Sequence, residues 1–182
     1  VDTSVRIEEG DVDGDGLTDL SFILAVDESG GDTADLRLFA WDVTDEGKLP
    51  ETEVFADASP DVTDEQFEAD DVVDLGGGAN LRGSITRRGN EFDAGVEIGT
   101  PGAGRDDISS TSFVVRSAVD DLTLDDVGGQ RFGLRLTSVG EIGGDRDDSL
   151  KLATVVTNAP DAVDDTLTTD EDTAASIDLL AN

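Results

Sequence analysis

The chain contains no cysteine and no histidine. Without cysteine it can form no disulfide, no thiolate metal site and no nucleophilic thiol. Without histidine it lacks the commonest general base and the usual zinc ligand. A pair of carboxylates could still hydrolyse a glycoside, but among 44 acidic residues no particular pair stands out. We therefore predict that the chain is not an enzyme.

Basic residues are also scarce, at 12 Lys and Arg against 44 Asp and Glu, which gives a formal net charge of -32. Nucleic acids and anionic membrane surfaces would be repelled, so neither is an expected partner. Two explanations of the acidity stay open: many calcium ligands, or adaptation to a salty medium that screens the repulsion.

No apolar run approaches the roughly 18 residues of a membrane span. The chain starts at Val1 and contains no methionine, so we expect a processed or excised piece whose signal peptide, if any, lies outside it.

One short stretch carries a metal-binding pattern. Residues 11–19 read Asp-Val-Asp-Gly-Asp-Gly-Leu-Thr-Asp, with carboxylates at the first, third, fifth and ninth places. The spacing predicts a Ca²⁺ loop with ligands from Asp11, Asp13, Asp15, the carbonyl of Leu17, and Asp19. The twelfth place, a bidentate Glu in helix-flanked loops, is a phenylalanine, and the flanking residues favour strands over helices. The alternative is an acidic surface turn that binds no metal.

The remaining pattern is one of short alternating strands. We predict strands over residues 4–8, 19–26, 34–43, 71–78, 91–98, 108–119, 122–124, 130–139 and 150–157. In the 91–98 strand, Phe92 and its alternates should face inward, and Asp93, Gly95 and Glu97 outward. Residues 44–70 are polar and predict a long loop with at most one short strand or helical turn. The chain should therefore be all-β, an antiparallel β-sandwich of jelly-roll or Ig-like type with calcium-binding loops. A propeller is disfavoured because the acidic loop does not recur at a fixed period.

Other candidate sites are weaker. The acidic groups Asp145–Ser149 and Asp42, Asp45 and Glu46 could bind cations, although neither has the spacing of the first loop. Asp106 and Asp107 suggest a solvated turn. Trp41 is the only tryptophan, and flanking apolar residues favour a core position over a sugar-stacking platform.

The composition changes after residue 157, so we predict a β-sandwich domain over 1–157 and a separate segment over 158–182. That segment reads Asn-Ala-Pro-Asp-Ala-Val-Asp-Asp-Thr, then Thr-Asp-Glu-Asp-Thr and Ser-Ile-Asp-Leu-Leu-Ala-Asn. It resembles the start of a cadherin-like (VCBS-type) tandem repeat of large bacterial surface adhesins. Residues 95–101, 106–113 and 134–152 resemble, less specifically, a domain found beside such repeats. The resemblance implies a module of a long, calcium-rich extracellular or cell-surface protein. In such arrays cations lie between modules, and the acidic residues matching that junction are Asp164, Asp165, Asp170, Glu171 and Asp172.

Two functions remain open at this stage. The first is a non-enzymatic, calcium-stabilised structural or adhesive module, whose partners are neighbouring copies or adjacent repeats. The second is a calcium-dependent polysaccharide-binding module. Residues 173–182 alternate apolar and polar positions, which predicts a strand with one apolar face that must dock somewhere. It could pair with its own sandwich, with a missing remainder of a repeat, or with a neighbouring copy and so propagate a filament.

Overall fold

The computed structural model describes residues 1–83, 91–100 and 106–155. Those residues form eleven strands, one short helix and two 3-10 turns. In chain order the strands are β1 (Asp2–Gly10), β2 (Asp19–Asp27), β3 (Asp32–Trp41), β4 (Thr52–Val54), β5 (Val62–Val72), β6 (Asp74–Gly76), β7 (Ala79–Asn80), β8 (Phe92–Ile98), β9 (Ser110–Ser117), β10 (Arg131–Glu141) and β11 (Asp148–Val155), with α1 (Leu124–Val127) before β10. The prediction of an all-β chain is confirmed.

The strands form two larger sheets and one small hairpin. A four-stranded sheet has the order β1-β2-β9-β4, a five-stranded sheet has the order β11-β10-β3-β8-β5, and β6 pairs with β7. All pairings among these strands are antiparallel. The acidic loop joins β1 to β2, and the register of that pair runs without a bulge from Asp2 opposite Asp27 to Gly10 opposite Asp19. The loop is therefore held at the end of a regular ladder.

The main hydrophobic cluster takes side chains from both larger sheets. Phe22 of β2 and Phe113 of β9 stack with ring centroids 5.0 Å apart. Phe22 also contacts Phe39 and Trp41 of β3 in the other sheet, at 5.7 and 4.9 Å. Rings at these separations add to the free energy gained by burying their area. Period-2 alternation explains why one face of each strand supplies these residues.

A second, smaller cluster lies on the other face of the five-stranded sheet. It contains Leu38 and Ala40 of β3, Val72 of β5 and Phe92 of β8, together with Ala79 and Leu81 beside the β6-β7 hairpin. Every residue of β8 is consequently buried. The prediction that Asp93, Gly95 and Glu97 face outward to solvent is wrong, because both faces of this central strand are covered.

Two other predictions need correction. Residues 44–70 are not mainly a loop: they contain the 3-10 turn Glu46–Glu51, β4, a second 3-10 turn Ala56–Ala58 and most of the eleven-residue β5. The sequence pattern misses β5 because it is an edge strand with mostly exposed, polar side chains.

Residues 122–124 do not form a strand. They lead into α1, where Thr123 and Asp126 make a capping box.

The proposed boundary near residue 157 follows β11, which ends at Val155. The segment 158–182, with the predicted junction residues and the predicted strand 173–182, lies outside the described residues.

Candidate metal centre

Three of the predicted ligands converge in the loop between β1 and β2. Asp11, Asp13 and Asp15 each present a carboxylate oxygen, and these oxygens lie within 4.8 Å of one another. Within residues 1–83, 91–100 and 106–155, no other set of three acidic side chains converges in this way. Oxygen atoms at such separations can share one hard divalent cation with coordination distances near 2.3–2.6 Å.

The loop's own backbone amides set the carboxylate positions. Asp11 accepts hydrogen bonds from the N–H groups of Gly14 (2.7 Å) and Gly16 (3.2 Å). Asp13 accepts one from Asp15, at 3.0 Å, and Asp15 accepts one from Leu17, at 2.8 Å. Gly14 and Gly16 have φ of 83° and 94°, in the left-handed region that glycine adopts most easily. The two glycines thus allow the chain to curl around the point where the carboxylates meet.

Asp19 lies outside the convergent set of three but contacts the same loop. Its Oδ2 accepts from the N–H of Val12 at 2.8 Å and of Asp13 at 3.3 Å. The residue is only 1% exposed, and its Oδ1 is buried without a hydrogen-bond partner. Burial, reinforced by the negative charges of Asp13 and Asp15, raises the pKa of Asp19 above its usual value, although the two N–H bonds oppose this. A buried carboxylate oxygen without a partner costs free energy that a bound cation would recover.

Leu17 is half-buried in the same loop, and its N–H group bonds to Asp15. Its carbonyl oxygen as a fifth ligand stays a prediction.

Arg116 of β9 contributes a positive charge that the sequence pattern did not indicate. Its Nη1 lies 2.8 Å from Asp13 Oδ2 and its Nη2 lies 2.6 Å from Glu53 Oε1. Its guanidinium also lies 4.6 Å from the centre of the Phe55 ring. The hydrogen bond from Arg116 is the main reason that the pKa of Asp13 lies below its usual range. Arg116 and Asp13 are 103 positions apart, so only the β2-β9 pairing brings them together.

The charges indicate which ion the loop would accept. Asp11, Asp13, Asp15 and Asp19 carry four formal negative charges, and the one nearby guanidinium, that of Arg116, is shared between Asp13 and Glu53. A divalent cation would offset two of the negative charges, whereas the ion-free loop keeps like charges within a few ångströms of one another. All available donors are oxygen atoms, and the chain offers no histidine or cysteine. This donor set suits Ca²⁺ better than zinc or copper.

The segment before α1 supports the loop from the side. Asp121 Oδ1 accepts from Thr18 N–H at 2.8 Å, and the N–H of Leu122 donates to the carbonyl of Thr18 at 2.7 Å. Glu9 Oε2 accepts from Leu124 N–H at 2.9 Å. These bonds tie both ends of the loop to a distant part of the chain, so an ion bound there would also stabilise the contact between β1 and residues 118–124.

The weaker candidates do not assemble into sites. Asp42 pairs with Arg131 at 2.9 Å, and Asp45 caps the first 3-10 turn by accepting from Gly47. In Asp145–Ser149 the acidic side chains are exposed, while Arg146 pairs with Asp35 and Asp107. In the predicted solvated turn, Asp107 is exposed and pairs with Arg146, whereas Asp106 is half-buried and accepts from the N–H of Thr100 at 2.6 Å.

Trp41 is 2% exposed and packs among phenylalanine rings, so the prediction of a core position is confirmed. It offers no stacking face to a sugar.

No helix within the described part of the chain is long and apolar enough to cross a membrane. Comparisons with protein-family models, with curated proteins and with solved structures each find no match to this chain. The assignment of function therefore depends on the geometry of the loop and on the architecture that carries it.

Proposed function

We propose that this chain is a non-enzymatic, calcium-stabilised β-sandwich module of an extracellular structural or adhesive protein. The sandwich arrangement is supported by the main hydrophobic cluster, which joins the inner faces of two antiparallel sheets. The non-enzymatic assignment is supported by the lack of histidine and cysteine. The adhesive or structural role and the extracellular location are supported by the resemblance of residues 158–182 to adhesin repeats.

One observation carries the metal assignment. Asp19 is buried beside three convergent carboxylates, and its Oδ1 has no hydrogen-bond partner. In a metal-free turn Asp19 Oδ2 would still accept from Val12 and Asp13, but Oδ1 would stay buried without a partner. A Ca²⁺ ion held by Asp11, Asp13, Asp15 and Asp19 would explain both the convergence and the unpaired oxygen.

We further propose that copies of the module join by addition of the C-terminal strand. The alternating apolar positions Ala175, Ile177 and Leu179 support this, because a strand with one apolar face needs a sheet on which to bury it. Such a contact is head-to-tail and need not close, so it would build a filament or matrix.

The metal assignment is tested by thermal melting of the variant that combines Asp13→Ala with Asp15→Ala. A ligand that binds only the folded state stabilises it by about 2.7 kcal/mol at a hundredfold excess over its dissociation constant. We expect Ca²⁺ to raise the melting temperature of the wild type, and this rise to be lost in the variant.

The matched control combines Asp57→Ala with Asp71→Ala, which removes the same charge from two exposed positions. It should keep the full calcium response. An unchanged response in the loop variant would sink the metal assignment, and an equal loss in the control would show that only general charge screening is measured.

A further inference from the structure

A polar cavity of about 320 Å³ lies where the first half of β3 meets the end of β8. One of its lining residues, Ile108, precedes Ser109, whose carbonyl accepts from the N–H of Val26 at 2.8 Å. Val26 lies near the other end of β2 from Asp19, and the strand between them spans roughly 23 Å at about 3.3 Å per residue. The cavity is therefore separate from the acidic loop. Its volume lies at the lower end of the range of about 300–1,000 Å³ that small-ligand pockets occupy.

A buried arginine forms part of the cavity lining. Arg37 of β3 is 4% exposed, and its Nη1 donates to the carbonyls of Ile98 at 2.5 Å and Gly99 at 2.7 Å. Its Nη2 pairs with Glu97. Its Nε is buried and has no hydrogen-bond partner. A buried donor without an acceptor is uncommon in folded proteins, and an acceptor oxygen at the floor of the cavity would satisfy this one.

Two irregularities in the pairing of β3 with β10 lie beside the cavity. The register shifts once before Leu136 and again after Thr137. At the second shift Ser138 has a φ of 49°, in the left-handed region that favours glycine. The carbonyl of Ser138 accepts from Arg146 Nε at 2.8 Å, and Arg146 Nη2 donates to Asp35 at 3.0 Å. Because bulges re-aim side chains, this one places the hydroxyl-bearing residues Thr137 and Ser138 in the cavity lining.

Carboxylates with unused acceptor capacity form another part of the lining. Asp106 is half-buried, and its Oδ2 accepts from the N–H of Thr100 at 2.6 Å. A Cβ at Gly99 would lie 3.0 Å from that oxygen, so the glycine leaves room for the carboxylate. Asp147 and Asp148 are exposed lining residues that pair with no other residue in the described ranges. These side chains can accept hydrogen bonds from a ligand.

The pairing of the charged groups excludes an anionic ligand. Arg37 is paired with Glu97, and Arg146 is paired with Asp35 and Asp107. Among the described lining residues, an anion would therefore meet unpaired carboxylates and no unpaired cation. Carboxylate, sulfate and phosphate groups would be repelled.

Hydrogen-bonding capacity separates the remaining ligand classes. An apolar ligand would displace water from carboxylates and hydroxyls without replacing its hydrogen bonds. An amine cation has only donors, so it offers no acceptor to Arg37 Nε, and it adds positive charge beside two guanidiniums. A hydroxyl group both donates and accepts. Neighbouring hydroxyls on one neutral ligand can therefore satisfy the carboxylates and the N–H donors together.

We infer that this cavity binds a neutral polyhydroxylated ligand of the size of one sugar residue. Asp106 and Ser138 would bond to its hydroxyl groups, and the half-buried Ile108 offers an aliphatic surface to the C–H face of a sugar ring. This ligand site goes beyond the proposed structural role, and it uses no residue of the metal loop.

The test follows amide resonances of the ¹⁵N-labelled full chain during titration with neutral sugars. Glucose, galactose and mannose serve as probes, and glucosamine and glucuronate are charged controls of the same ring size. We expect saturable shifts of the Thr100 and Ser138 amides with at least one neutral sugar, and binding of the charged controls that is several-fold weaker. Saturable shifts with none of the three neutral sugars would overturn the inference. Tighter binding of either charged control would overturn the assigned ligand class.

Two variants connect the shifts to the cavity. Ser138→Gly removes a lining hydroxyl at a φ that suits glycine, so folding should be preserved, and sugar binding should weaken several-fold. Asp106→Asn keeps an acceptor for the N–H of Thr100 but removes the charge, so binding should weaken roughly tenfold.

The matched controls are Ser29→Gly and Asp57→Asn, at exposed positions outside the cavity lining. Both should bind the sugar as the wild type does. Unchanged binding in the two cavity variants, or equal losses in the controls, would overturn the inference. The calcium response of the loop variants is measured without sugar, so failure here is distinguishable from failure of the metal assignment.

Discussion

Two aspartates are buried to nearly the same extent, but their surroundings differ. Asp19 is 1% exposed and Asp93 is 4% exposed. Asp93 uses both carboxylate oxygens: Oδ1 accepts from Asp70 N–H and Oδ2 from Val43 N–H, each at 2.9 Å. Asp19 uses only Oδ2 and leaves Oδ1 unpaired. Burial alone therefore does not distinguish the two aspartates; the unsatisfied oxygen of Asp19, beside a loop of convergent carboxylates, is the difference on which the proposed metal site rests.

The charged groups around Asp93 and around Asp19 also differ. Near Asp93, the carboxylate of Asp42 pairs with Arg131, whose guanidinium also lies 4.2 Å from the Phe92 ring centre. Near Asp19, only Asp13 of the three further aspartates pairs with a guanidinium, that of Arg116, which Asp13 shares with Glu53. At the Asp93 corner, protein N–H groups satisfy both carboxylate oxygens of Asp93. We propose that a bound cation completes the loop around Asp19, and the variants below should separate the two cases.

The largest expected effect comes from Asp93→Ala. The substitution removes the acceptor of two partly buried backbone N–H groups, and a fully buried group left unsatisfied costs roughly 1–3 kcal/mol. We expect a loss of about 3 kcal/mol in the free energy of unfolding. Denaturant unfolding should give the same loss in Ca²⁺ and in chelator. If Asp93→Ala lost free energy of unfolding only in Ca²⁺, a metal would bind near Asp93, and Asp93 would no longer differ from the acidic loop in this respect.

A smaller effect concerns the pH dependence at Asp42. Burial raises the pKa of this carboxyl, and the hydrogen bond from Arg131 only partly opposes the rise. The folded state therefore takes up the proton at a higher pH than the unfolded state. Stability from this group falls as pH rises through the window between the ordinary pKa and the raised one.

The corresponding measurement compares the wild type with Asp42→Asn in chelator, so that the metal loop does not contribute. As pH is lowered from 7 to below that window, the wild type should gain free energy of unfolding relative to the variant. A constant difference between the two proteins across the titration would contradict the assigned pKa direction.

Local spacing was enough to predict the acidic loop. Asp11, Asp13 and Asp15 do converge, because carboxylates at alternate positions and two glycines with positive φ determine a turn within a few residues. Arg116 could not be predicted in the same way, since its position beside Asp13 depends on strand pairing across 103 residues. No period or motif in the sequence encodes that pairing.

The fold shows the same division between local and long-range information. The strands with clear alternation, such as β2 and β10, were predicted within a few residues. The edge strand β5 was missed because most of its side chains are polar and exposed. Asp93 was predicted to face solvent because alternation within β8 gives no information about the hairpin of β6 and β7 that helps to cover its second face.

The central claim is that Asp19 is a calcium ligand and Asp93 is not, and one matched pair of variants tests it most directly. Thermal melting of Asp19→Asn and Asp93→Asn is measured in chelator and in saturating Ca²⁺. In chelator, Asp19→Asn should be at least as stable as the wild type, because it removes a buried charge that Asp13 and Asp15 repel. In Ca²⁺ it should be less stable than the wild type, because an amide replaces a ligand carboxylate.

Asp93→Asn replaces one of two hydrogen-bond acceptors, so it should be destabilised by the same amount in both conditions. We predict that the difference in melting temperature from the wild type changes sign on adding Ca²⁺ for Asp19→Asn and for no other variant of the pair. An equal change in the melting temperature of Asp19→Asn, relative to the wild type, with and without Ca²⁺ would contradict this prediction.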